Sequence, residues 1–290
     1  MKLDRLALRD YVQGHLARQI EELGEAGIAD VLARGRQWDL SGTLKAGGTI
    51  VFPHAHMNRC GHQIATAVHA CLDSGADRVL VVGVLHALSD ELQDARVRVA
   101  SGGDVTQEHY WGIQGPGVGH WDDWQYEFSL GSFLYLMEQE SRRRGVQQPE
   151  LFVRYPYLAG GKPEMLPGIE ELVDIAKDAV VVTTADPCHH GIGYGEPPET
   201  ALFPEQGGLD YARQQINEGL EILGRGDYWG YNQHCVTAKS DARDAGQVTR
   251  YLLGPLKGEI LDLTYNDTTA MYDTPQPTWV ATALIDMPPA

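Results

Sequence analysis

The sequence predicts a single α/β domain over residues 1–290, a central, mostly parallel mixed β-sheet flanked by helices on both faces. Three observations predict it. Strand-like and helix-like segments alternate along the chain, the pattern of a layered α/β architecture. No repeat, low-complexity tract or linker divides the chain. Three apparent strands end on histidine-bearing turns, and in an open α/β sheet neighbouring strand ends converge on one crevice.

Residues 1–45 read as a helical segment, with apolar positions recurring every three or four residues from 6 to 33. Residues 49–53 and 78–85 are rich in Val, Ile and Leu and read as strands, with a helix over 62–74 between them. The stretch 105–128 is dense in glycine and aromatics and carries Trp111, Trp121 and Trp124, so it reads as a structured loop over the site. A helix over 129–144 ends on Arg142-Arg143-Arg144, cations suited to a helix C-terminus. Strands then follow at 151–157 and 179–184, with a helix over 168–177 between them. Residues 191–208 hold Pro197, Pro198 and Pro204 and run across the mouth of the site. Helices over 209–223 and 240–253, the second with Ser240 as N-cap and Asp241 in its first turn, precede strands at 259–264 and 278–286.

Composition excludes several classes of function. A hydrophobic content of 43% with 22% charged residues is that of a folded globular chain. The net charge of −17 leaves no basic stripe for nucleic acid. Met1-Lys2-Leu3-Asp4-Arg5 mixes charges where a signal peptide needs an apolar core, and no apolar run reaches the roughly 18 residues that span a bilayer. Cysteines 60, 71, 188 and 235 form no CxxC pair, which predicts neither a disulfide framework nor a zinc finger. The expected setting is the cytoplasm, with no membrane or nucleic-acid partner and with a homo-oligomer left open.

The histidine turns carry the chemistry. They are Val51-Phe52-Pro53-His54-Ala55-His56, Val82-Gly83-Val84-Leu85-His86 and Ala185-Asp186-Pro187-Cys188-His189-His190. One strand-end histidine is usually a hydrogen-bonding residue. Three clusters at one edge predict a metal or catalytic centre, imidazole being the commonest metal ligand. Two histidines and one anionic ligand, with open positions opposite, let iron(II) take both substrate and dioxygen. Candidates for the third ligand are Cys235, His234, Asp241 and Asp244.

The segment Ile50-Val51-Phe52-Pro53-His54-Ala55, the turn Gly83-x-x-His86, the turn Asp186-x-Cys188-His189-x-Gly191 and Asn232-x-x-Cys235 occur in an order that resembles the Memo family. That family shares its fold with the catalytic subunits of class III extradiol ring-cleaving dioxygenases. The resemblance runs from about residue 48 to the C-terminus. It implies that His54 and His86 are metal ligands, that Cys235 stands at the third ligand position, and that His189, with Asp186 beside it, is the acid/base. His190 is a further catalytic candidate. The family's Glu-His-Ser-x-Glu segment is Glu127-Phe128-Ser129-Leu130-Gly131 here, and His56 and Met57 replace the usual glycine and tyrosine. Both departures predict a respecialised pocket, with His56, His120, Trp121, Trp124 and His234 as substrate-binding candidates.

The expected function is a non-haem iron(II)-dependent oxygenase that cleaves or rearranges an electron-rich, hydroxylated aromatic or heteroaromatic ring with dioxygen. The partner is then a small planar substrate, which the tryptophan-rich loop would stack. Because a thiolate favours copper(I) or zinc, Cys235 keeps a second expectation open, a Memo-like copper- or zinc-binding redox or scaffold protein. A zinc hydrolase ranks third, for want of an arginine near the motifs.

Overall fold

The computed structural model describes residues 5–290, so the reading of Met1–Asp4 as no part of a signal peptide lies outside the described residues. Eight strands form one sheet: β1 (Thr49–Phe52), β2 (Arg78–Val82), β3 (Gly112–Gln114), β4 (Glu150–Tyr157), β5 (Val180–Thr184), β6 (Cys188–Gly191), β7 (Glu259–Asp267) and β8 (Thr278–Met287). The helices are α1 (Arg5–Gln13), α2 (His15–Arg34), α3 (Ser41–Lys45), α4 (Met57–Ser74), α5 (Asp90–Ala100), α6 (Gly131–Arg144), α7 (Ile169–Ala176), α8 (Leu209–Gly224), α9 (Tyr228–Thr237), α10 (Arg243–Leu253) and α11 (Thr269–Tyr272). The strand order is β3-β4-β2-β5-β1-β8-β6, with β7 on β8.

The centre of the sheet, β4-β2-β5-β1, is parallel. Every pairing outside it is antiparallel, which corrects the expected mostly parallel sheet to an evenly mixed one. The link 268–277 between β7 and β8 is shorter than the dozen or so residues of a parallel crossover, so these strands pair as a hairpin. The long β8 then meets β1 with Ile285–Met287 and β6 with Thr278–Ala281.

Alternation along the central strands buries both faces. Ile50, Phe52, Val79, Val81 and Val182 pack with α2, α4 and α6, whereas Val51, Leu80, Val82 and Val181 pack with α7, α8, α9 and α10. The expected N-terminal helix is two helices, and Gly24 within the second, at φ 60°, interrupts its helical backbone. No helix among the described residues is long and apolar enough to cross a membrane.

Arg142–Arg144 do close α6, but two of them do more than complement its dipole. Arg143 and Arg144 both donate to Glu140, whose side chain is fully buried and lies 3.3 Å from His69. Burial pushes this carboxyl up, yet the two arginines and His69 hold it at about 2, below its ordinary 4.5. A carboxyl lowered in the folded state stabilises above its unfolded value, and that stability is lost as pH falls through the folded one. Glu140→Gln is expected to lower the melting temperature at pH 7 by roughly 5–10 °C, and the gap from the native protein to close between pH 4.5 and about 2 in calorimetry. A gap that does not change with pH would sink this account.

Candidate metal centre

The centre lies at the carboxyl edge of the parallel strands. The turn after β1 supplies His54, that after β2 supplies His86, and that after β5 supplies Asp186. The loop between α9 and α10 brings in Asp241, and β6 brings in His189. Asp241 Oδ2 lies 3.1 Å from His54 Nε2, 3.8 Å from His86 Nε2 and 3.9 Å from His189 Nε2. Two overlapping trios can each hold a metal ion: His54, His86 and Asp241, and Asp186, His189 and Asp241.

Hydrogen bonds decide which nitrogen each histidine offers. The Thr184 hydroxyl gives its proton to the Phe52 carbonyl at 2.8 Å, so at 3.0 Å it can only accept from His54 Nδ1–H. With Nδ1 so committed, Nε2 faces Asp241 and becomes the ligand lone pair once its own proton is lost. His86 Nδ1 donates in the same way to Glu127 Oε1 at 2.9 Å, and Phe128 stacks on the His86 ring at 4.4 Å. Metal-binding histidines are oriented by such acceptors on the far nitrogen. His189 differs, because its Nδ1 is buried without a partner and its tautomer is not locked.

Electrostatics draw a cation into the same place. Asp241 Oδ1 accepts from Asp186 N–H at 2.8 Å, while its buried Oδ2 makes no well-directed hydrogen bond despite the nearby imidazole. Burial pushes Asp241 up, but His54, His189 and His86 outweigh it and hold it well below the usual carboxylate range. Burial likewise lowers His54, and Asp186 and Asp241 overcome this to raise it to about 9. Burial keeps Asp186 above its ordinary value and His189 below, so His189 is neutral at neutral pH. Free buried carboxylate oxygen, two oriented imidazoles and a cation-favouring field fit a divalent metal.

Glu127 is the group that sequence reasoning undervalued, although it stands in the segment quoted for the resemblance. Its buried carboxylate accepts from His86 N–H, His86 Nδ1–H, Phe128 N–H and Ser129 N–H. Burial pushes it up, but the His86 ring and these bonds bring it below the usual range. An amide cannot accept all four donors. Glu127→Gln, and Thr184→Val at the other ligand, are each expected to weaken metal binding about 10- to 100-fold in a titration with the fold unchanged. Unaltered affinity in both would remove their role as orienting groups.

The expectation of Cys235 as third ligand does not fit the geometry, which sets Asp241 rather than Cys235 beside His54 and His86. Residues 228–237 form α9, and Cys235 faces an apolar cluster with Ile216, Leu223 and Tyr231. Burial pushes its thiol up to about 12, the opposite of a ligand thiolate. His234, on the same helix, spends Nε2 on the Gln215 carbonyl at 2.8 Å and does not line the site cavity. Asp244 accepts from Ala159 N–H at 2.8 Å and is a structural residue. The helix expected from Ser240 begins at Arg243, and Ser240 Oγ instead accepts from Ala242 N–H, which shapes the turn carrying Asp241.

His190 is also corrected. Side chains alternate along β6, so His189 faces the centre while His190 lies against Tyr211 and Trp279, its Nε2 accepting from Leu202 N–H at 2.9 Å. The aromatic loop does not cover the site with its tryptophans. Trp121 sits in the core against Tyr110 and Tyr157, Trp124 packs on the same core, and His120 bonds the His109 carbonyl. Only the end of that segment, Glu127 and Phe128, reaches the centre.

In front of the centre is a cavity of about 300 Å³, the lower end of the range for small-molecule sites. Tyr11 and His15 from the N-terminal helices, Phe128, Tyr194 and Tyr272 line it, with His56 as expected. Burial, with His56 nearby, lowers His15 to about 4, so it too is neutral. Tyr194 sets its ring edge against His189, with centroids 5.0 Å apart.

A scan against models of known protein families finds no match, and a search of curated proteins finds none either.

Proposed function

We propose that this protein is a non-haem iron(II)-dependent oxygenase that opens or oxidatively rearranges an electron-rich hydroxylated aromatic or heteroaromatic ring. Asp241 carries the reading. With it in place of a cysteine, the donor set is two histidines and one carboxylate, the set that suits iron(II) oxygenases. The thiolate that spoke for copper or zinc is absent from the trio, and the class III extradiol-like fold is part of the proposal.

Iron(II) held by His54, His86 and Asp241 supplies a template for ring and dioxygen and a conduit for electrons between them. The chain's own residues do the rest. Neutral His189 takes the proton of a ring hydroxyl at Nε2 and later returns it to oxygen, a role worth about 10² to 10⁴ in rate. Asp186 accepts from His54 N–H at 3.2 Å and holds the first turn in register with the third. Phe128, Tyr194 and Tyr272 give a planar substrate flat apolar walls and exclude water. All four cysteines are unpaired and buried, in keeping with the cytoplasmic setting proposed here.

The test is anaerobic loading with iron(II), copper(I) or zinc, followed by oxygen uptake against catechols and dihydroxylated nitrogen heterocycles. Substrate-dependent uptake with iron alone is expected. Tight copper or zinc binding with no uptake from any iron-loaded mixture would replace the oxygenase with a metal-binding role.

A further inference from the structure

Behind the centre, on the other side of the sheet edge from the substrate cavity, is a second cavity of about 50 Å³. It lies between the sheet and α8, α9 and α10, with Val51, Ile216, Leu220, Leu223, Ile285 and Met287 among the apolar side chains of its wall. It is too small for a ring but exceeds the roughly 10–15 Å³ that one water needs. The surface it exposes is mainly carbon. His234 Nε2 is spent on the Gln215 carbonyl, and Ser240 Oγ accepts from Ala242 N–H. Thr249 Oγ1 and Arg250 Nε, both on α10, are the two buried side-chain atoms of this wall without a partner among the described residues. Cavities that expose apolar walls tend to stay dry and take up apolar gases.

Its position gives the gas a use. Thr184 belongs to both sites: it lines this cavity, and its hydroxyl orients His54. Ala185 and Ala242, next in chain to Asp186 and Asp241, complete the shared wall. One layer of side chains separates an apolar void from the metal-binding donors, while the ring-sized cavity opens in front.

We infer that this rear cavity is a binding site for dioxygen that supplies the metal centre from the side opposite the organic substrate. The gas site stands on geometry alone; the supply role rests on the oxygenase reading. A bulkier side chain at Ile216, which is on α8 and is none of the proposed ligands, fills the void.

Zinc-loaded protein with labelled methyl groups is placed under dioxygen pressure, and paramagnetic relaxation is read by NMR. The methyls of Ile216, Leu223 and Ile285 are expected to relax several-fold faster than the likewise buried methyls of Val79 and Leu80. Ile216→Phe, or Leu223→Phe should the first fail to fold, abolishes that excess. Equal relaxation across all buried methyls overturns the gas site. With iron loaded, the filled variant is expected to raise the KM for dioxygen several-fold with substrate KM and iron content unchanged, and an unchanged KM for dioxygen overturns the supply role. Excess relaxation without oxygen uptake from any ring upholds the gas site and removes the oxygenase reading with its supply role.

Discussion

Asp241→Ala is expected to abolish turnover and to weaken iron(II) binding by more than about 100-fold, a loss beyond that of removing an outer orienting group. The variant removes the buried oxygen that faces three imidazole nitrogens within 3.9 Å. It also leaves Asp186 N–H without its acceptor, so Asp241→Asn, which can keep an oxygen at that N–H, separates loss of the ligand charge from loss of the turn. Cys235→Ser is the matched control, with iron content and affinity expected to stay at the native level because the thiol sits in an apolar cluster. Metal titration with content measured by elemental analysis decides between them. Native affinity in Asp241→Asn, or metal loss in Cys235→Ser, would return the third ligand to the cysteine.

His189→Ala is expected to keep its iron and lose about 10² to 10⁴ in turnover rate. The reason is the difference between its two ring nitrogens and those of the ligands. Thr184 and Glu127 fix the tautomers of His54 and His86, whereas nothing in the described residues accepts from or donates to His189 Nδ1. A ring free to carry its proton on either nitrogen suits proton transfer. Its lowered basicity also places a neutral base at neutral pH. Native iron content with a lost acidic limb in the rate profile marks an acid/base. Stripped metal marks a fourth ligand and overturns the assignment.

The strands that carry the centre are legible in the chain because each is a short run rich in Val, Ile and Thr, closed by Pro53 after β1, Gly83 after β2 and the Ala185-Asp186-Pro187 turn after β5. β1, β2 and β5 lie where that pattern places them, and so do β4, β7 and β8. β6 was not legible. Cys188-His189-His190-Gly191 has no apolar or β-branched run, and it is a strand because β8 offers it an antiparallel edge at Thr278–Ala281. Period-two alternation along that extended backbone is what separates His189 from His190.

The sequence by itself determined that three histidine turns share one edge, since local periodicity sets the strands and parallel strands bring their ends together. It also held the four candidates for the third ligand, without a means to choose among them. That choice belongs to tertiary structure. Whether residues 228–237 coil, and which side of that helix meets the sheet, depends on contacts with Ile216 and Leu223 far along the chain. Once α9 turns Cys235 into that cluster, the loop that follows crosses the strand ends and sets Asp241 beside His54. The aromatic segment obeys the same rule. Trp121 and Trp124 are placed by the core volume available beside Tyr157, a quantity no local pattern encodes, so they pack inward and leave the site to Phe128.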